Sequence, residues 1–325
     1  MQTHSEEGVG FTMRDTMHTH VEQIFTFIDQ ESNYIENEAS ATYLEGVVYA
    51  LELWLNEKKV PSVRDADKEE VRKAIQLAIL KGMKKSVQVN HQMTPDAIGL
   101  LVSYFVKEMT KDRKELSILD PALGTGNLLF TIMNALPTEN YAFGVEIDEL
   151  LIQLAAQTGE LLTHDVQLFR QDALKPLLID PVDIVVSDLP VGYYPDSETS
   201  QDYFLHSTEE MSYAHHLFME QSMKHVKPGG YLFFLVPDTI FESKQAPKLH
   251  EFIKENGWIQ AVIQFPTSIF KTKGQEKSLL ILQKKSSDLK APREVLLAKV
   301  PNMMNKESME LFLKKVEIWQ EENTK

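Results

Sequence analysis

The sequence predicts a doubly wound α/β domain, a mainly parallel sheet with helices on both faces, preceded by a helical N-terminal domain. Three observations predict it. From residue 115 onward, short apolar runs alternate with segments of helix length. Those runs are apolar almost throughout, as strands covered on both faces are, and not two-faced. A turn through Pro121, Gly124 and Gly126 joins the first run directly to a helix.

The N-terminal ninety residues carry apolar stripes of helical period and no motif. Val21, Ile24, Phe25 and Ile28 form one stripe, and Leu44, Val47, Val48, Leu51, Trp54 and Leu55 a second. After Pro61, Val71, Ala74, Ile75, Ala78 and Ile79 form a third. Such stripes are expected to pack on one another, since burying an apolar face is what stabilises an amphipathic helix. Thr94 and Pro95 then read as a helix start, Thr as N-cap and Pro in the first turn, with Ile98, Leu101, Val102 and Phe105 on one face.

The alternation follows in order. Strands are expected at 115–120, 141–147, 166–170, 182–187 and 230–236, with helices at 127–136, 148–162 and about 212–226. The runs at 259–266 and 277–285 are separated by too few residues for a crossover helix, so they should pair antiparallel. Residues 294–300 add a further edge strand, and Met309, Phe312, Leu313 and Val316 mark a closing helix. The expected division is a helical domain at 1–91, an α/β domain at 92–300 and a C-terminal helix at 301–325.

Composition narrows the function classes. The chain has 325 residues, 43% hydrophobic and 25% charged, which is ordinary globular material. It has no cysteine, which excludes disulfides, a thiolate nucleophile and a cysteine zinc site. The start, MQTHSEEGVG, lacks a targeting pattern, and no apolar run approaches a membrane span, so a soluble cytoplasmic protein is expected. The net charge of −15 opposes unaided nucleic-acid binding, because phosphates are neutralised by Lys and Arg.

The stretch ILDPALGTGNLLF, 118–130, is the most informative. A buried strand ends at Asp120 and a glycine turn leads into a helix N-terminus, where backbone amides approach a small, partly anionic ligand. The dinucleotide fingerprint would need glycine where Leu129 stands, and no phosphate-loop lysine motif occurs. Glu146, some twenty residues on, is placed to accept from ribose hydroxyls, and Asp172, after the next strand, from an exocyclic amine. Together these outline a nucleoside pocket.

These residues resemble the class I S-adenosylmethionine (SAM) dependent methyltransferases. In particular they are similar to the N6-adenine-specific DNA methyltransferases, including the modification subunits of type I restriction systems. HQMTPDAIGLLVSYF resembles the T-P helix start of that group, LDPALGTGN its D-P-x-x-G-T-G turn, GVEID its ribose-binding acid and RQDAL its adenine-binding acid. SDLPVGYYP takes the place of the N-P-P-Y or D-P-P-Y motif, and KPGGYLFFLVPDTIF resembles the strand after it. The resemblance covers about residues 92–285. It implies a Rossmann-like, mainly parallel sheet of seven strands with one antiparallel strand near the edge. It implies SAM as cofactor, held by Thr94, Asp120, Ala122, Gly124, Gly126, Asn127, Glu146, Ile147, Asp172, Ala173 and Asp188, and a transfer site of Asp188, Leu189, Pro190 and Tyr193.

An amino nitrogen conjugated to a ring or carbonyl is a poor nucleophile until its two N–H groups are held and its lone pair is aimed. Asp188 is expected to supply one acceptor. Leu189, kept extended by Pro190, supplies the other through its carbonyl. Two positions depart from the family. Leu189 replaces a proline that contributes only its carbonyl. Val191 stands where the family carries the aromatic that stacks on a flipped-out base, so Tyr193 or Tyr194 is needed as a substitute, unless both pack against the sheet edge. His215 and His216 lie near the expected substrate side, with no third ligand to make a metal site.

The expected activity is methyl transfer to adenine N6 in DNA or RNA. The acidic balance and the short stretch after 286 imply a partner subunit that supplies specificity. Lys271, Lys273 and Lys277 form a modest basic patch. Two alternatives stay open: transfer to a glutamine amide of a protein, and SAM binding without transfer.

Overall fold

The protein is described by a computed structural model at residues 19–85, 93–270 and 274–324. Lys271 and Lys273 of the expected basic patch, and His91 and Gln92 of the T-P segment, lie outside these residues. Three helices open the fold: α1 (His20–Glu38), α2 (Tyr43–Leu55) and α3 (Lys68–Lys85). Both α1 and α2 begin in a capping box: the hydroxyls of Thr19 and Thr42 accept from the Glu22 and Glu45 amides, whose carboxylates accept in return from the cap amides.

The α/β part follows: α4 (Asp96–Met109), β1 (Glu115–Asp120), α5 (Asn127–Ala135), β2 (Glu139–Glu146), α6 (Glu149–Leu161), β3 (Asp165–Arg170) and β4 (Val182–Asp188). Then come the single-turn α7 (Ser197–Ser200), α8 (Ala214–Lys224), β5 (Val226–Pro237), α9 (Ala246–Asn256), β6 (Gly257–Gln264), β7 (Lys277–Lys284), β8 (Leu296–Lys299) and α10 (Lys306–Thr324).

The strands form one sheet of order β3-β2-β1-β4-β5-β7-β6-β8. All neighbours run parallel except β7, which is antiparallel to both β5 and β6. The sheet therefore has eight strands, one more than the seven the resemblance implies, because the edge strand expected at 294–300 forms as β8 along β6. Strand order reverses between β1 and β4, the switch point at which open α/β sheets bind ligands.

Both faces are covered, and side chains alternate between two cores. Ile118, Ile184, Val186, Phe233, Leu235 and Ile281 face the layer holding α1 to α6 and α10. Leu119, Val185, Leu232, Phe234 and Leu280 face α8 and α9. This alternation within wholly apolar strands explains why the runs carried no two-faced pattern. Asp183 in β4, which is buried, accepts from the Ser117 amide (3.0 Å) and hydroxyl (2.6 Å) and from Arg113 (2.6 Å), which fastens the start of β4 to β1.

Two local expectations are corrected. Helix α4 starts at Asp96 with Pro95 as N-cap, and Thr94 makes no cap because its hydroxyl is used elsewhere. Helix α9, on the crossover from β5 to β6, was not foreseen. Its signals were Pro247 in the first turn and Leu249, Phe252 and Ile253 at helical spacing. Among the described residues no helix is long and apolar enough to cross a membrane.

Candidate active site

The site forms where the parallel strands end. Asp120 closes β1 and Asp188 closes β4, its neighbour; Glu146 closes β2 on the other side. Because β7 runs the other way, its first residue also arrives at this edge: Lys277 pairs with Pro237 at the end of β5. The reversed strand thus delivers a lysine to the edge that carries these three carboxylates.

Between β1 and α5 the chain turns through Gly124 (φ +58°) and Gly126 (φ +79°), conformations that L side chains rarely adopt. A Cβ on Gly126 would come within 2.3 Å of the Phe130 ring, whereas beside Gly124 there is open space. Gly126 therefore serves packing, and Gly124 leaves room for a ligand. The Gly124 amide donates to Glu146 Oε2 (2.8 Å), and the Asp148 amide to Oε1 (2.9 Å), so the turn is fixed to the tip of β2. Beside them Ile147 is 65% exposed, an apolar side chain in the open without a protein partner to cover it.

Asp120 is buried, and its carboxylate accepts from the Ala122 amide (3.0 Å) and the Ser187 hydroxyl (2.8 Å). Burial pushes its pKa up to about 7; those two hydrogen bonds oppose the shift, while the charges of Asp188 and Glu146 add to it. The folded state therefore holds a proton on Asp120 that the unfolded chain has released by about pH 4. Stability from this group is full below that pH and is lost as pH rises through about 7. Asp120→Asn, which keeps the acceptor, is expected to gain melting temperature over the wild type between pH 5 and pH 8. The gain should be on the order of a few kcal/mol, at about 1.4 kcal/mol per pKa unit. Equal pH profiles would refute it.

Asp172, after β3, accepts from the Leu174 amide (2.9 Å) and the Tyr194 hydroxyl (2.6 Å). Burial and then the bond to Asp172 push the Tyr194 phenol up, so it stays neutral. Of the two tyrosines offered as stacking substitutes, Tyr194 is thus buried and committed to Asp172. Tyr193 is 50% exposed and lies on Tyr213, with ring centroids 5.0 Å apart and planes 12° apart. Tyr213 in turn stacks on His215 at 5.1 Å. Val191 is 59% exposed.

Asp188 is held from two sides. The Thr94 hydroxyl donates to Oδ2 (2.9 Å), and the Lys277 ammonium pairs with Oδ1. Leu189 is buried, its amide donating to the Leu235 carbonyl (3.2 Å), which fixes the chain as it leaves β4. Lys277, expected as part of a surface patch, is instead paired with Asp188 at the carboxyl edge; the adjoining antiparallel strand was the available signal. His215 and His216 are buried. Burial first, then the charge of Lys277 for His215 and of His215 for His216, pushes their pKa values down to about 4 and about 3. Both are neutral near pH 7. Among the described residues no group of three metal-binding side chains occurs.

The donor set fits a nucleoside that carries positive charge. Glu146 and Asp172 are acceptors at two strand tips, Gly124 leaves the turn open, and Asp120 and Asp188 make the floor acidic. Asn127, at the first residue of α5, turns its side chain inward: its carbonyl oxygen accepts from Arg72 (2.6 Å) and its amide donates to the Thr94 carbonyl (3.1 Å). Ala122 and Ala173 stand beside Asp120 and Asp172 in the two turns.

Over residues 86–324 the chain matches the N-6 DNA methylase family, and over residues 50–83 the YtxK N-terminal helical domain. It is similar to the protein YtxK of Bacillus subtilis (strain 168): 45% identical over 320 residues, 92% of this chain and 97% of that one. A Listeria monocytogenes crystal structure, provisionally assigned as a class I SAM-dependent methyltransferase, is 42% identical, with a TM-score of 0.87, covering 93% of this chain and 99% of that one. The methyltransferase subunit of a type I restriction-modification system from Streptococcus thermophilus is 17% identical, with a TM-score of 0.65, over 94% and 75% of the two chains. That last likeness is one of fold.

Proposed function

The chain belongs to the N-6 DNA methylase family and is a SAM-dependent methyltransferase, and on that premise we propose that its acceptor is an exocyclic amino nitrogen, adenine N6 in nucleic acid. The observation that carries this reading is Asp188, a carboxylate at the tip of β4 pinned between Thr94 and Lys277. When bound, SAM supplies an electrophilic methyl group on a sulfonium. The protein's part is to hold and aim the nucleophile.

Each Asp188 oxygen accepts one hydrogen bond from the protein and keeps a second lone pair, so an amine N–H can still be taken. The Leu189 carbonyl takes the other N–H. With both N–H groups held, the nitrogen lone pair is directed out of conjugation and along the line of displacement, and little reorganisation remains at the moment of transfer. Lys277 beside Asp188 makes a donor next to an acceptor. That pair complements an edge in which an amino group neighbours a ring nitrogen, as in adenine. Tyr193, stacked on Tyr213 and half exposed, offers a supported π-face for the base in the place left by Val191.

Glu146 and Asp172 bind the ribose hydroxyls and the adenine amine of SAM in this reading, with Gly124 and Asn127 at the turn and Ile147 against the adenine ring. The net charge of −15 makes a basic partner subunit part of the proposal for nucleic-acid substrates. The test is incubation with methyl-labelled SAM and a cell lysate, followed by separation of DNA, RNA and protein. Label in the nucleic acid is expected, as N6-methyladenine. Label in protein alone would overturn the acceptor in favour of a glutamine amide, and no label in any fraction would overturn transfer.

A further inference from the structure

We propose that Arg72, on helix α3 of the N-terminal helical layer, is a positioning residue for methyl transfer, acting through Asn127 and Thr94 on Asp188. The proposal rests on the reading of Asp188 given above.

Arg72 is 1% exposed. All five of its N–H donors are used. Nε and Nη2 donate to the two oxygens of Glu69 (2.8 and 2.7 Å), Nη1 and Nη2 to those of Asp96 (3.1 and 3.2 Å), and Nη1 also to Asn127 Oδ1 (2.6 Å). Gln76 adds a bond to Asp96 (2.6 Å) and Asn134 one to Glu69 (3.1 Å), so the cluster is closed. Burying a cation is costly even when it is paired, and well-packed apolar side chains of similar volume often serve stability as well or better. Stability alone is therefore a poor reason for an arginine here. The bond that leaves the ionic cluster is the informative one.

A guanidinium can only donate, so Arg72 fixes which end of the Asn127 amide faces it. The oxygen points to Arg72, which turns the NH2 group toward the Thr94 carbonyl (3.1 Å). The Thr94 hydroxyl then donates to Asp188 Oδ2 (2.9 Å). Three links thus connect a buried cation in the helical layer to the carboxylate that receives the substrate amine. Asn127 is also the first residue of α5, directly after the Gly124 and Gly126 turn. A single side chain in the N-terminal layer therefore holds both halves of the site, the cofactor turn and the transfer carboxylate. Asp96, in the first turn of α4 and two residues past Thr94, ties the same segment to Arg72 a second time.

The test compares Arg72→Lys, which keeps the charge but loses the planar fork, with Ile79→Ala, a cavity in the same helix. Both are assayed for melting temperature, for SAM affinity by calorimetry, and for kcat and KM with labelled SAM and unmethylated double-stranded DNA in cell lysate that supplies the partner subunit. Arg72→Lys is expected to lower SAM affinity and kcat about tenfold each, as small misplacements at a reacting centre do, at a loss of melting temperature no greater than that of Ile79→Ala. Ile79→Ala is expected to keep the wild-type SAM affinity and kcat. If Arg72→Lys does not fold, Thr94→Val breaks the last link and leaves the arginine cluster whole. It is then expected to lose about tenfold in kcat, at unchanged melting temperature. Wild-type kcat in Thr94→Val, or losses in Arg72→Lys and Ile79→Ala that simply follow stability, would overturn the proposal while leaving the enzyme reading intact. A wild-type protein that binds no SAM would overturn both.

Discussion

Asp188→Ala is expected to abolish methyl transfer while largely sparing SAM binding. In the proposed reaction the carboxylate receives the substrate amine, and its loss removes an acceptor from the place where charge develops; such a deletion costs about 10²–10³-fold in kcat. The variant also leaves the Lys277 ammonium without its partner, beside a nitrogen that becomes cationic as the methyl arrives, which adds to the barrier. Asp188→Asn separates two roles. Asparagine retains an acceptor oxygen but cannot take a proton, so partial activity in Asp188→Asn with none in Asp188→Ala identifies the side chain as a hydrogen-bond acceptor. Single-turnover assays with labelled SAM decide it; equal activity of Asp188→Ala and wild type would remove Asp188 from the reaction.

The second large effect is expected at Glu146. Its two oxygens already order the site, one taking the Gly124 amide and the other the Asp148 amide. In the proposed SAM complex they also accept the ribose hydroxyls. Hydrogen bonds to a charged group contribute about 1.5–3 kcal/mol each, so Glu146→Ala should weaken SAM by about 10²-fold or more. Because the lost bonds are shared by the bound cofactor and the reacting complex, kcat at saturating SAM should fall far less than affinity. Calorimetric titration with SAM measures it. An unchanged dissociation constant would place the ribose elsewhere.

Much of the sheet was readable in the sequence because its strands are short, wholly apolar and separated by helix-length segments. The antiparallel pair was readable from spacing alone: no crossover helix fits between 264 and 277, and β6 pairs with β7 accordingly. That Asp120, Glu146, Asp172 and Asp188 gather at or just past strand ends was readable because the carboxyl ends of the parallel strands in this sheet define a single edge. What escaped the sequence depends on contacts between distant segments. Thr94 looked like a helix cap, since a Thr before Pro commonly is one, yet its hydroxyl crosses to Asp188, 94 residues away. Lys277 resembled a solvated surface charge because nothing local shows that an antiparallel strand carries it to the carboxyl edge. Arg72 lies off the apolar stripe of its helix, and nothing in its local sequence marks it as buried. Its burial follows only from the packing of α3 on α5 beneath the glycine turn.

The same distinction applies to the tyrosines. Two adjacent residues on a loop read as equivalent, but successive side chains in extended backbone point to opposite sides. Tyr194 therefore turns inward to Asp172, and Tyr193 turns outward onto Tyr213. Val191 is exposed and aliphatic, and the exposed aromatic ring nearest it in sequence, Tyr193, lies two residues later than in the motif it resembles.

The central claim is that the carboxyl edge between β1, β2 and β4 encloses SAM. Thermal unfolding with and without ligand tests it most directly, because a ligand bound only by the native state raises stability by about 2.7 kcal/mol at a hundred times its dissociation constant. The expected result is a rise in melting temperature of about 5 °C or more with SAM, since each kcal/mol shifts a domain of this size by about 2–4 °C, and no rise with NAD. A melting temperature unmoved by millimolar SAM, or moved equally by NAD, would contradict it.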